Sequence, residues 1–343
     1  MNTEELVEIV LPGKVEPEGL EIRRGAVPAA GPGQVLVRME ATGVSFAEQQ
    51  MRRGRYYDQP AFPFVPGYDL VGTVIATGAG VPPSLSGTRV AALLKVGGWA
   101  SHVVVEAADV VPVPDGISPA EAETVVVNGV TAWQMLHRKA RVRAGQTVLV
   151  HGANGGVGSV LVQLAQAAGA TVIGTASRRH HDALRTRGVL AIDYRTEDVA
   201  TRVRELAPGG VDAVFDHVGG RSVIDSWGML APGGTLVAYG TASTRDDTGS
   251  QQWPVLRLLG RVWWWNALPN RRRAYFYNLW AGKTLAGDRF RARVRADLAE
   301  VFAAMQRGDV TAQIAAQIPL AHIAEAMRLA ESGTVAGKIV LNP

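Results

Sequence analysis

Cysteine is absent from the 343 residues. Its absence excludes disulfides, thiolate nucleophiles and every cysteine-ligated zinc site, and it agrees with a reducing compartment. Lysine is scarce too, with five Lys against 30 Arg. The net charge is only +4 and no nucleic-acid-binding motif accompanies it, so no nucleic-acid partner is expected. Long apolar runs are missing. None approaches the roughly 18 residues that span a bilayer, and Met1 to Ile22 carries several Glu in place of a signal-peptide core. The expected location is cytoplasmic, with no transmembrane segment.

What is present falls into three stretches. Up to about residue 124, short strand-like runs such as Gln34–Met39, Leu70–Thr77, Arg89–Leu94 and His102–Val105 are separated by Gly and Pro. That pattern predicts a small, mostly antiparallel β unit. From about 125 to 245, apolar strands (Thr147–Gly152, Thr171–Thr175, Leu190–Tyr194, Asp212–Asp216, Thr235–Gly240) alternate with helical segments, which predicts βαβ units on a parallel sheet. After about 250, a Trp- and Arg-rich stretch precedes two amphipathic helices, Phe290–Arg307 and Leu320–Glu331, and a closing strand, Lys338–Leu341.

The strongest chemical signal is Thr147-Val-Leu-Val-His-Gly-Ala-Asn-Gly-Gly-Val-Gly158. A buried strand enters a glycine turn and a helix starts at once. Gly155 lets backbone approach a pyrophosphate, Gly158 lets the helix pack on the strand, and the helix N-terminus offers free N–H groups. Asn154, Gly155, Gly156 and Val157 are therefore candidate phosphate contacts. The second strand runs Val-Ile-Gly-Thr-Ala-Ser-Arg-Arg over 172–179. Ala176 stands where an NAD-preferring site carries an acid. Ser177, Arg178 and Arg179 then follow, suited to a 2′-phosphate. The expected cofactor is NADPH.

Further segments carry a family resemblance over essentially the whole chain. They are Gly43-Val-Ser-Phe-Ala-Glu48, Pro66-Gly-Tyr-Asp-Leu-Val-Gly-Thr-Val74, Gly87-Thr-Arg-Val-Ala91, Ala153-Asn-Gly-Gly-Val-Gly158 and Gly337-Lys-Ile-Val-Leu341. In that order they resemble the medium-chain dehydrogenase/reductase superfamily, in its zinc-free quinone oxidoreductase branch and the VAT-1-like subgroup. The resemblance implies an α/β fold in two domains. One is a GroES-like, mostly β catalytic domain from residues 1–124 and 266–343. The other is a Rossmann domain with a doubly wound parallel sheet, 125–265. Ser45 and Tyr68 match positions where zinc relatives carry Cys and His, so no metal site is expected. The resemblance adds Thr131, Tyr194, His217, Gly240, Thr241 and Asn342 as cofactor contacts, and it implies a homodimer.

By the same resemblance the activity is metal-independent hydride transfer from NADPH to a hydrophobic quinone or to the C=C bond of an α,β-unsaturated carbonyl. Such chemistry wants a hydrogen-bond donor at the carbonyl oxygen. Tyr56 is the first candidate, with Ser45 and Asn128 behind it and Tyr57 and Lys95 nearby in the resemblance. Tyr56 and Tyr57 read equally well as packing residues, and Lys95 as a solvated one. Glu48 with Arg52 reads as a structural ion pair, and His102 and His151 as scaffold histidines. Two other functions stay open: a tailoring reductase for a bulky polyketide, and a non-catalytic NADPH-binding regulator. The cluster of Trp253, Trp263, Trp264, Trp265 and Trp280 fits burial between helices, a large aromatic substrate, or a partner or membrane surface.

Overall fold

The computed structural model describes residues 5–244 and 252–343. The chain divides into two compact units, Met1–Val130 with Gly282–Pro343, and Thr131–Ala281.

In the first unit β1 (Glu5–Val10) and β2 (Glu21–Ala26) form an antiparallel pair. The chain continues through β3 (Gln34–Val44), α1 (Phe46–Arg52), β4 (Asp69–Thr77), β5 (Arg89–Leu93), β6 (His102–Glu106), β7 (Val110–Pro112) and α2 (Pro119–Trp133). β3 is the hub, antiparallel to β4 and β6, with β5 and β7 added beyond β4. Side chains alternate across a strand, and the pairs Val35/Val37, Leu70/Val74, Val90/Ala92 and Val103/Val105 accordingly share one core.

The second unit contains β8 (Thr147–His151), α3 (Gly156–Ala167), β9 (Thr171–Ala176), α4 (His181–Thr186), β10 (Leu190–Asp193), α5 (Val199–Leu206), β11 (Val211–Asp216), α6 (Arg221–Gly228), β12 (Leu230–Ala238), α7 (Gln252–Ala267) and β13 (Arg273–Phe276). Its strands are all parallel in the order β10-β9-β8-β11-β12-β13. Val148, Leu149 and Val150 are fully buried, as expected of a strand covered on both faces. The order reverses between β8 and β11, and open α/β sheets bind ligands at the carboxyl ends of strands at such a switch.

The chain then returns to the first unit with α8 (Gly287–Gln306), β14 (Ile314–Pro319), α9 (Ile323–Glu331) and β15 (Lys338–Asn342). β15 pairs antiparallel with β3 and parallel with β14. Mostly antiparallel and doubly wound units together are the α/β class expected from sequence.

The expected domain boundaries shift at two places. Residues 266–281, expected in the catalytic domain, lie in the second unit. β13 extends its sheet along β12, and the Asn266 amide holds both the N–H and the carbonyl of Ala274 at 2.8–2.9 Å. Residues 125–130, expected in the dinucleotide domain, lie in the first unit. There the Val127 N–H donates to Asp69 at 3.1 Å, and a Cβ on Gly129 would strike Val301.

Candidate active site

The candidate cofactor residues of the second unit collect at the carboxyl ends of its strands. The turn Gly152–Gly155 follows β8, Ser177–Arg179 follow β9, Tyr194 follows β10, His217 follows β11, and Gly240 and Thr241 follow β12.

The turn is built around close approaches. Gly152 has φ +65 and lies under the His217 ring, where a Cβ would stand 2.4 Å from Cε1. A Cβ on Gly158 would sit 2.1 Å from the Gly152 carbonyl oxygen. Gly155 differs, since its Cβ would meet only that same oxygen, at an ordinary 3.4 Å. Packing therefore demands glycine at 152 and 158 but not at 155. Gly155 is the N-cap of α3 and no side chain caps the helix. Its first N–H groups, at Gly156 and Val157, are left for a ligand or water.

Beyond β9, Ala176 and Ser177 are buried and Arg178 and Arg179 are exposed. Neither Arg is in an ion pair among the described residues. Buried nitrogens without a hydrogen-bond partner gather at the same end of the sheet: His180 Nε2, His181 Nδ1 and His217 Nδ1. Such orphans are costly unless a ligand or water meets them. Burial lowers the His217 and His151 pKa, with Asp216 opposing, so both rings are neutral and can accept as well as donate. Tyr194 is exposed, with the Arg195 guanidinium over its ring.

One component escaped sequence reasoning. Asp216 is buried at the end of β11 and organises the next loop: Oδ1 accepts from the Val218 and Gly219 N–H groups, Oδ2 from the Ser222 and Ser226 hydroxyls at 2.7 Å. Ser226 in turn meets His151 Nε2 at 3.1 Å. His151 is thus tied into a buried network, as a scaffold histidine. An Asp ending a strand before His-Val-Gly-Gly was the available signal.

Thr131 is a buried residue of α2 in the second unit. Ser45, Tyr56, Asn128 and Asn342 belong to the first. Ser45 is a correction. It caps α1 in a capping box, accepting from the Ala47 N–H at 3.2 Å while its hydroxyl donates to Glu48. Its proton is committed to the helix start rather than offered to a substrate. Asn128 Nδ2 donates to the Thr124 carbonyl one turn back. The Asn342 amide faces Gln317 at 3.5 Å.

Tyr56 is hydrogen-bonded, hydroxyl to hydroxyl, to the buried Tyr68, with the rings edge to face at 6.1 Å. Burial, then the neighbouring Tyr68 and Tyr57, push the Tyr56 phenol far above its ordinary value, so it stays protonated and acts as a donor. Glu48 links this pair back to the α1 cap through the Tyr68 N–H at 2.8 Å. Arg52 does not pair with Glu48 as expected. It meets Glu331 at 2.9 Å and Glu16 at 3.3 Å. Lys95 is paired with Asp58.

Behind Tyr68 lies a buried cluster of Glu48, Asp69, Glu123 and Lys338. Lys338 Nζ is 3.1 Å from Asp69 and 2.9 Å from Glu123. Glu123 is fully buried, and beyond the ammonium its two oxygens have no hydrogen-bond partner. Burial alone would lower the Lys338 pKa, but Asp69 and Glu123 outweigh it and hold the ammonium charged. Burial raises the Glu48 and Glu123 carboxyls.

Family models match residues 31–115 as an alcohol dehydrogenase GroES-like domain and residues 189–341 as a zinc-binding dehydrogenase. The human synaptic vesicle membrane protein VAT-1 homolog is 34% identical over 332 residues, covering 94% of this chain and 82% of the relative. The chain belongs to the medium-chain dehydrogenase/reductase superfamily. Within that superfamily it falls in the VAT-1-like and quinone oxidoreductase branch. A mycobacterial protein solved with NADPH superposes with TM-score 0.82 at 29% identity, covering 98% of this chain and 100% of that one. A Pseudomonas syringae quinone oxidoreductase gives 0.84 at 27%, over 98% and 100%.

The donor set does not fit the metal named in the second family description. The sequence has no Cys, Ser45 caps a helix, Tyr68 is bonded to Tyr56, and Asp69 is paired with Lys338. Among the described residues no group of three His, Asp or Glu is placed to hold a metal ion.

Proposed function

We propose that this chain is an NADPH-dependent, metal-independent reductase of quinones or of the C=C bond of α,β-unsaturated carbonyls. The observation that carries the reading is the carboxyl edge of the parallel sheet. There an uncapped glycine turn, the acid-free exit of β9 and three orphaned histidine nitrogens share one end of the strands. The mycobacterial relative solved with NADPH and the quinone oxidoreductase from P. syringae support it.

In this reading the N–H groups of Gly156 and Val157 hold the pyrophosphate, and Gly155 admits it closely. Ser177, Arg178 and Arg179 bind the 2′-phosphate. His217 meets a ribose hydroxyl, Tyr194 the adenine side, and Gly240, Thr241, Thr131 and Asn342 the nicotinamide half. When bound, NADPH supplies the hydride. The hydroxyl pair with Tyr68 fixes the Tyr56 hydroxyl in place, and Tyr56 is the donor to the carbonyl oxygen where charge develops. The raised Tyr56 pKa keeps that proton in place through the working pH range. Asn128 offers its second amide proton to the same oxygen.

Two measurements test this. Arg178→Ala with Arg179→Ala is expected to weaken NADPH about a hundredfold and leave NADH nearly unchanged, since two charge-assisted contacts to phosphate are lost. Equal affinity of the unaltered chain for both cofactors in a fluorescence titration would overturn the cofactor assignment. Tyr56→Phe is expected to lower kcat/KM on small enones and quinones about a hundredfold, with NADPH affinity unchanged. Undiminished turnover removes Tyr56 from the mechanism, and loss of activity to a chelator removes the metal-independent one.

A further inference from the structure

We propose that Tyr57 resupplies the proton that Tyr56 gives to the reduced substrate, so that the two phenols form a relay from solvent to the reacting oxygen. The inference rests on the reading of Tyr56 as the donor and adds the residue that recharges it. Tyr56 and Tyr57 are neighbours in the loop after α1, with ring centroids 4.7 Å apart and planes at 47°, and a side-chain hydrogen bond joins them. Tyr56 is bonded on its other side to Tyr68. Three phenols therefore stand in one hydrogen-bonded row, Tyr68–Tyr56–Tyr57. The two ends of the row differ in their access to water. Tyr68 is 4% exposed and Tyr57 37%. The Tyr57 end meets solvent and the Tyr68 end is closed inside the first unit.

Proton balance makes the open end matter. Each turnover moves one hydride, with both electrons, from the bound dinucleotide to the acceptor, and one product oxygen then gains a proton. The Tyr56 O–H bond breaks as that proton leaves. The burial that holds the Tyr56 phenol far above its ordinary value makes a tyrosinate left there costly. That cost is avoided when a second proton arrives as the first departs. The Tyr57 O–H bond breaks, its proton passes to the Tyr56 oxygen, and bulk water reprotonates Tyr57. No electrons move through the phenols. Tyr57 is suited to the task. Burial raises its pKa, the hydrogen bond with Tyr56 opposes this, and the neighbouring Asp58 adds to the rise, so it holds its proton at neutral pH. Asp58 is itself paired with Lys95, which leaves a partly exposed ion pair, rather than a second buried charge, beside the entrance.

The test is steady-state kinetics of Tyr57→Phe, Tyr68→Phe and the unaltered chain with NADPH and a small enone, with and without imidazole. NADPH titrations and melting curves accompany it. Tyr57→Phe is expected to lower kcat about tenfold or more, with the enone KM, NADPH affinity and melting temperature unchanged. Imidazole, a small soluble acid, should restore much of kcat to Tyr57→Phe and none to Tyr68→Phe. The solvent deuterium isotope effect on kcat should rise in Tyr57→Phe. Full turnover by Tyr57→Phe overturns the relay. If Tyr56→Phe is impaired in the same assay, the donor reading stands without the relay; if Tyr56→Phe is unimpaired too, both fall. Loss of turnover in Tyr57→Phe with no imidazole rescue and an unchanged isotope effect makes Tyr57 a packing residue. Rescue of Tyr68→Phe in place of Tyr57→Phe puts proton entry at the buried end. Either result overturns the proposal.

Discussion

Replacing Gly158 with valine is expected to cost about 3 kcal/mol or more and to abolish NADPH binding with it. A Cβ at 158 would stand 2.1 Å from the Gly152 oxygen and 2.9 Å from its carbonyl carbon, and both are backbone atoms that cannot swing aside. α3 would have to lift off β8. The helix start would then leave its place above the fully buried Val148–Val150 strand. Gly155→Ala is the matched comparison. Its Cβ meets one atom at 3.4 Å, so urea unfolding should be nearly unchanged. NADPH affinity should still fall about tenfold, because the methyl occupies the face a pyrophosphate approaches. Equal loss of stability in both variants would mean that Gly155 serves only the turn.

Lys338→Met is expected to destabilise the first unit by about 3–5 kcal/mol, the range for removing one partner of a buried ion pair. Asp69 is fully buried and the ammonium is its counter-charge. The pH dependence follows from the carboxyls. Glu48 and Glu123 have raised pKa values in the folded protein, led by burial. The folded state therefore holds protons that the unfolded chain releases, and stability falls as pH rises from the unfolded carboxyl value toward the folded one. Glu123→Gln should flatten that slope in urea unfolding as pH rises above the unfolded carboxyl range. A slope unchanged by Glu123→Gln would place the proton elsewhere in the cluster.

Much of the second unit was legible because its signals are local. β8, the turn and α3 lie within 21 consecutive residues, Thr147–Ala167, and a continuous apolar run entering glycines has few other readings. β13 was not legible. Arg-Ala-Tyr-Phe is a four-residue edge strand with one buried residue, so neither periodicity nor a long apolar run marks it, and it becomes a strand by pairing with β12. α7 was hidden by Pro254, Gly260 and three consecutive Trp, which blur the helical period. At the site, Ser45 and Glu48 spell a capping box, and the structure uses them as one; reading Ser45 as a free donor overlooked that local alternative. The Lys338 cluster could not be read at all. Asp69 lies 269 residues away in sequence, and only the antiparallel placement of β15 beside β3 brings the ammonium to it.

That last pairing also sets an order of assembly. Residues 131–281 contain every strand their own sheet requires, so a chain emerging from the ribosome can close that sheet before residues 282–343 are made. β3, translated long before, has β6 along Gln34–Arg38 of one edge but keeps Thr42–Val44 of that edge unpaired until residues 338–342 arrive. The older half of the molecule thus waits for the youngest, with a growing nascent chain carrying a hydrophobic strand that needs shelter in the interval.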